Sequence, residues 1–282
     1  MHPILFHLGP LIVPSYGVAV ALAVLAALAL AQWTARRGGL DESAGPRHAW
    51  NMIVLAVFAA IAIERLLLIV MNLSDLRHHP QWLLAIAMVH HPLLAGVGIA
   101  GGAIAIVAYA RWAKLPLLVV SDCLAAPLCL GYAFEQCGAL LAGSDFGREV
   151  VNPETWQVTY VSRFAALWSG APLGEPVYPV QIYAAAGALI LTAVLCLYLA
   201  RSHRRGDIGG AWLMGFGILI FVTEGYRDWE GRGVLLSGVL DTPQVVALVF
   251  LLLGAALLLN WRHISASKAL AEAGTKTAQN GS

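Results

Sequence analysis

Seven runs of apolar residues, each long enough to cross a lipid bilayer, constrain this chain more than any other feature. They cover about residues 11–33, 49–73, 93–110, 116–142, 178–199, 209–227 and 242–261. The hydrocarbon core of a bilayer takes a helix of roughly 20 residues. Inside it every backbone N–H and C=O must be satisfied within the segment, so each run is expected as a helix. Only 12% of the residues are charged, about half the usual share of a soluble domain. The expected fold class is an all-α polytopic membrane protein with seven transmembrane helices.

Orientation follows from where Lys and Arg fall, because they are retained on the cytoplasmic side. With the N-terminus outside, the inner side holds Arg36, Arg37, Arg47, Arg111, Lys114, Arg201, Arg204, Arg205, Arg262, Lys268 and Lys276. The outer side holds Arg77, Arg148, Arg163, Arg227 and Arg232. Eleven against five favours the N-terminus outside and the C-terminus inside. The longest connection, 143–177, then lies outside and reads as a small external cap between helices 4 and 5. Trp156, Thr159 and Tyr160 form a strand-like pattern there, and Pro172 and Pro176 act as breakers. Residues 1–262 are expected as the transmembrane domain and 263–282 as a disordered cytoplasmic tail. The opening MHPILFHLGP lacks the basic n-region of a cleavable signal peptide, so the first span is expected to direct insertion.

Several classes receive no support. A net charge of +1 without a basic block gives no footprint for nucleic acid. No zinc-type Cys/His spacing occurs, and Cys123, Cys129, Cys137 and Cys196 all fall in apolar runs, where they are expected to pack as small hydrophobes. No internal repeat is evident, which disfavours an inverted-repeat transporter.

Ionisable residues at membrane depth cost about 2.5–3.5 kcal/mol on insertion scales. Glu64, Arg65, Asp122, Glu135 and Glu224 therefore admit two readings, helix–helix pairing or a site. In the N-out topology Arg65, Glu135, Gln136 and Glu224 share the outer halves of spans 2, 4 and 6. Tyr16 and Gln181 stand near the outer starts of spans 1 and 5, and Gly101 and Gly102 lie in span 3. Only Asp122 is deep on the inner side. Polar groups gathered at one depth suggest a cavity open to the outer headgroups. An arginine fork suits a phosphodiester, so a phospholipid headgroup is the expected ligand. The glycine-rich stretch GALLAGSDFGRE, residues 138–149, would form the turn at the outer end of span 4.

The order of these features resembles the prolipoprotein diacylglyceryl transferase family. The resemblance is carried by PILFHLGPLIVPSYGV with Tyr16-Gly17, by Arg65 leading LLLIVMN, and by LLAGVGIAGGAIA and VSDCLAAP. YPVQIY, TEGYRDWEGRG and GVLDTPQ continue it. The family signature, Gly-Arg-x-Gly-(Asn/Cys)-Phe-x-(Asn/Ala)-Gly-x-x-(Tyr/Trp)-Gly-Arg, reads here E-Q-C-G-A-L-L-A-G-S-D-F-G-R, residues 135–148.

The resemblance implies transfer of a diacylglyceryl group from phosphatidylglycerol to the lipobox cysteine of a preprolipoprotein, in the bacterial inner membrane, on the face towards the outer leaflet. It implies no metal and no organic cofactor. Tyr16, Arg148 and Glu224 are the expected catalytic residues. Arg65, Gly101, Gly102, Gln136, Gly147, Gln181, Tyr183 and Arg227 are expected to bind substrate. Tyr16 would orient the thiol or headgroup, Arg148 and Arg227 at the outer rim would hold phosphate, and Gln136 would hydrogen-bond a headgroup oxygen. Glu224 would pair with Arg148 or Arg65 or move a proton, while Gly101, Gly102 and Gly147 would permit close backbone approach. The chain departs from the family where Ala100 replaces a histidine, Gln136 and Ile220 replace arginines, and Ala139 replaces Asn/Cys. Tyr178 and Ala184 depart as well. The alternative is a lipid- or lipoprotein-binding membrane protein on the same scaffold, without catalysis.

Overall fold

The computed structural model of the chain describes residues 2–8, 11–41, 44–79, 92–152, 156–201, 203–228, 234–235 and 240–259. The expected tail, 263–282, and Arg232 lie outside the described residues. Among the described residues seven helices are long and apolar enough to cross a membrane. They are span 1 (Ser15–Arg37), span 2 (Gly45–Met71), span 3 (Pro92–Trp112), span 4 (Leu117–Ala142), span 5 (Val180–Leu199), span 6 (Asp207–Glu224) and span 7 (Thr242–Leu259).

Span 1 begins later than its apolar run. Leu11–Pro14 instead pairs antiparallel with Ile4–Leu8, and Pro14 stays extended at φ −74°, ψ 139°. Proline suits that extended backbone and lacks an N–H for the ladder, so the strand ends there and the helix starts at Ser15. Span 6 stops three residues short of the expected 227, at Glu224, which leaves Arg227 outside the helix.

Span 4 is the axis of the bundle, and it packs on spans 1, 5 and 6. Small residues make this close approach possible, because lipid offers no hydrophobic drive between helices and van der Waals packing must supply it. Span 1 turns a stripe of buried alanines, Ala19, Ala23, Ala27, Ala31 and Ala35, every fourth residue, towards span 4. A methyl on Gly138 of span 4 would lie 2.5 Å from the Ala19 methyl, so glycine is required at that crossing. Spans 2 and 3 form a second packed pair, in which Gly98 and Gly102 press on the Ala60 and Ala56 carbonyls of span 2.

The buried acid at the other end of span 4 is structural. Asp122 accepts hydrogen bonds from the Gly206 N–H at 2.6 Å and the Gly209 N–H at 2.8 Å, and so caps the N-terminus of span 6 from a neighbouring helix. Span 7 carries its own cap: Gln244 N–H donates to Asp241 Oδ1 at 2.7 Å, and the Asp241 N–H returns to Gln244 Oε1 at 3.3 Å. Cys123 and Cys129 are buried, as the apolar reading requires, but Cys137 is exposed on span 4 rather than packed.

Residues 143–152 and 156–177 fold over the end of the bundle where spans 4 and 6 finish. A two-residue strand, Val158–Thr159, pairs with Pro176–Val177, and a short helix, Arg163–Ser169, lies between them. Tyr160, Ala165, Ala171 and Val177 form its own small core.

Candidate functional site

At the capped end, the start of span 1, the end of span 4 and the turn after span 6 meet in a continuous polar chain. The Tyr16 hydroxyl donates to Glu135 Oε1 at 3.0 Å. The other Glu135 oxygen accepts from Gln136 Nε2 at 2.8 Å. Gln136 Oε1 in turn accepts from Arg227 Nη2 at 3.0 Å. The Tyr16 ring packs on Trp168 of the cap helix, with centroids 5.2 Å apart. One neutral amide thus links a carboxylate of span 4 to a guanidinium on the turn after span 6.

Arg227 is the centre of charge. Its Nη1 lies 3.1 Å from Asp145 Oδ1, and its Nε lies 3.3 Å from Glu224 Oε1. The second contact is an ion pair by distance, although the Nε–H is not aligned for a hydrogen bond. Burial pulls the guanidinium towards neutrality, but the surrounding acidic groups, Asp145 foremost, hold it above its ordinary value, so it remains a cation. Two carboxylates, Asp145 and Glu224, thus contact the buried guanidinium, and a third, Glu135, reaches it through Gln136.

The local backbone explains how Arg227 reaches this place. The turn after span 4 and the turn after span 6 are zipped together: Gly147 and Arg227 form an antiparallel bridge, and the Arg148 N–H donates to the Tyr226 carbonyl at 2.9 Å. Gly147 cannot carry a side chain, because a Cβ there would strike the Tyr178 carbonyl and lie 2.7 Å from its Cβ. Asp145 adopts a left-handed φ of +54° in the same turn, two residues after Gly143 at +85°.

Arg148 faces outward. It is exposed, and its guanidinium sits 5.8 Å over the Tyr178 ring, a cation–π arrangement. From Tyr178 a file of rings continues through Tyr226, Tyr183 and Trp156, with successive centroids 5.5, 6.2 and 6.1 Å apart. Gln181 is 1% exposed, and its amide donates to the Ser144 carbonyl at 2.7 Å and to the Tyr160 hydroxyl at 3.0 Å. Burial pushes the Tyr160 hydroxyl up to about 12, with the Gln181 bond acting against that shift. Gln181 thus ties span 5 to the cap.

The structure therefore rearranges the expected site. Tyr16, Gln136, Glu224 and Arg227 come together. Arg227 is not an outer-rim residue, however, because Asp145 and Gln136 draw it inside to 4% exposure. Glu224 was expected beside Arg148 or Arg65, and it stands beside Arg227. The amide of Gln136 is committed to Glu135 and Arg227. Gly101 and Gly102 turn to span 2, where a Cβ would meet the Ile63 side chain and the Ala56 carbonyl, so they serve helix packing. Gly147 serves close approach of the Tyr178 backbone. Arg65 is half-buried in span 2, next to Glu64. Asp145 is absent from the expected site, and Glu135 enters the sequence only as an intramembrane acid. For Asp145 the available signal was an acid within the glycine-rich turn itself; its partner lies far along the chain. Among the described residues no group of three or more His, Cys, Asp or Glu side chains could hold a metal ion.

Known proteins resemble this chain over almost its whole length. A family model described as prolipoprotein diacylglyceryl transferase matches residues 3–260. A Clostridium tetani protein named phosphatidylglycerol–prolipoprotein diacylglyceryl transferase is 26% identical over 255 residues, covering 90% of this chain and 95% of the relative. Proteins of the same name from Aromatoleum aromaticum and Pseudoalteromonas translucida are 28% and 25% identical. They cover 92% and 96% of this chain, and 95% and 97% of their own lengths are matched.

Proposed function

Because the chain belongs to the prolipoprotein diacylglyceryl transferase family, we propose that it moves a diacylglyceryl group from phosphatidylglycerol to a prolipoprotein thiol at the polar chain around Arg227. It is a multi-pass protein of the bacterial inner membrane. The acceptor is the lipobox cysteine, and the site faces the outer leaflet, as the excess of Lys and Arg at the opposite helix ends supports.

The observation that carries this reading is the Tyr16–Glu135 hydrogen bond of 3.0 Å. Ala100 stands where the family has a histidine, so the chain needs another proton acceptor, and Glu135 occupies the position where the family signature opens with glycine. The thiol proton passes to the Tyr16 oxygen as the Tyr16 proton passes to Glu135 Oε1. The thiolate attacks the glycerol carbon bearing the phosphate ester and forms the C–S bond. The C–O bond breaks with its electron pair on the phosphate oxygen, and glycerol phosphate leaves. Arg227 from within and Arg148 from the rim stabilise the charge that develops there; a single such donor contributes about 3–4 kcal/mol in comparable sites. Arg227 thus supplies from the turn after span 6 a cation that Gln136 and Ile220 no longer provide.

Complementation tests the proposal. The chain is expressed in cells depleted of their own transferase, and membranes are assayed for diacylglyceryl-modified lipoprotein. Modified product is expected from the wild type and not from Arg148→Ala. Absence of product despite confirmed membrane expression would refute the transferase reading and leave the binding scaffold in its place.

A further inference from the structure

Asp145 takes no part in the transfer steps above, yet it supplies the shorter of the two ion-pair contacts to Arg227. Among the described residues, the three partners of the guanidinium differ in access. Gln136 is 2% exposed and the Glu224 side chain 5%, whereas the Asp145 side chain is 19% exposed. An anion approaching Arg227 from outside therefore meets the Asp145 side first. A phosphate offers paired oxygens to a guanidinium much as a carboxylate does, so the two compete for the same N–H donors.

We propose that Asp145 is an exchangeable counter-ion of Arg227, displaced by the phosphate of the donor lipid, and so sets the affinity of the donor site. In the unliganded protein the Asp145 carboxylate neutralises a buried cation that would otherwise be unpaired on its accessible side. On binding, the phosphate takes the Nη1 edge and the Asp145 side chain rotates away from it, while the turn stays bridged to Arg227 and Gln136 and Glu224 keep the guanidinium in place. No covalent step is involved. Asp145 is a positioning residue, and its signature lies in ligand affinity rather than turnover. The identity of the phosphate ester as phosphatidylglycerol rests on the transferase reading; the exchange itself does not.

The test measures binding on the full chain in neutral-detergent micelles, with glycerol phosphate and short-chain phosphatidylglycerol as probes. Wild type is compared with Asp145→Asn, Asp145→Gly and Asp145→Glu. If Asp145 covers Arg227 in about nine molecules of ten, removing its charge tightens the apparent Kd about tenfold. Asp145→Asn and Asp145→Gly are expected to show this gain for both probes, and Asp145→Glu to bind no tighter than wild type. In turnover, KM should fall in the Asn variant while kcat does not rise. Unchanged or weaker probe binding in the Asn and Gly variants overturns the proposal, as does no binding of either probe to any variant. If only Asp145→Glu folds, Asp145 is a structural partner of Arg227 and the proposal again fails. Tighter probe binding without transfer by the wild type would instead refute the transferase reading and leave the exchange standing.

Discussion

Replacing Arg227 with alanine removes the buried cation that Asp145 and Glu224 contact and that Gln136 links to Glu135. Arg227 makes contacts of 3.0, 3.1 and 3.3 Å, with 5% of its side chain exposed. Breaking a buried ion pair by removing one partner costs about 3–5 kcal/mol, because the other charge stays buried without compensation. The Asp145 carboxylate is 19% exposed, so solvent screens part of that pair. The loss should therefore come mainly from Glu224 and from the Gln136 oxygen that loses its donor. We expect Arg227→Ala to destabilise the protein by about 3–4 kcal/mol. Equilibrium unfolding in mixed micelles reads this directly. Double-mutant cycles with Glu224→Gln and Asp145→Asn then divide it, with expected couplings of about 2–3 kcal/mol for Glu224 and at most about 1 kcal/mol for Asp145. A total loss below about 1 kcal/mol would refute the reasoning, since it would mean the carboxylates never needed the cation. Equal couplings would refute the division between a buried partner and an accessible one.

Tyr16→Phe deletes the hydroxyl that donates to Glu135 and keeps the ring on Trp168, so transfer should fall at least about tenfold with a stability loss of about 1.5–3 kcal/mol. Turnover and unfolding measured on the same preparation check both parts. Asp122→Ala uncaps span 6, and unfolding should show a loss of about 0.5–2 kcal/mol with KM for the donor lipid unchanged. Gly147→Ala drives a methyl into the Tyr178 carbonyl and should loosen the cap, seen as faster proteolysis within 143–177 and loss of transfer.

The sequence by itself determined the class of the molecule and its family. Seven apolar runs could satisfy their backbones in lipid only as helices, and seven such helices are present among the described residues. The end of the bundle at which Tyr16, Glu135, Gln136 and Glu224 gather was legible from helix direction alone, since alternate spans reverse. The family was legible too, because short motifs keep their order. Partnership was not legible, and neither was exposure. Arg148 and Arg227 look equivalent in sequence, as cations beside glycine-rich turns, yet the fold exposes the first over Tyr178 and buries the second among acids. Gly101 and Gly102 look like room for a ligand, but the facing side chain of Ile63 and carbonyl of Ala56 make them packing residues. Asp145 gained a role only through the bridge between Gly147 and Arg227, which joins turns separated by span 5, span 6 and most of the cap. Hydropathy is a local property that each segment carries alone. Charge balance depends on distances between segments, and only the packed bundle sets those.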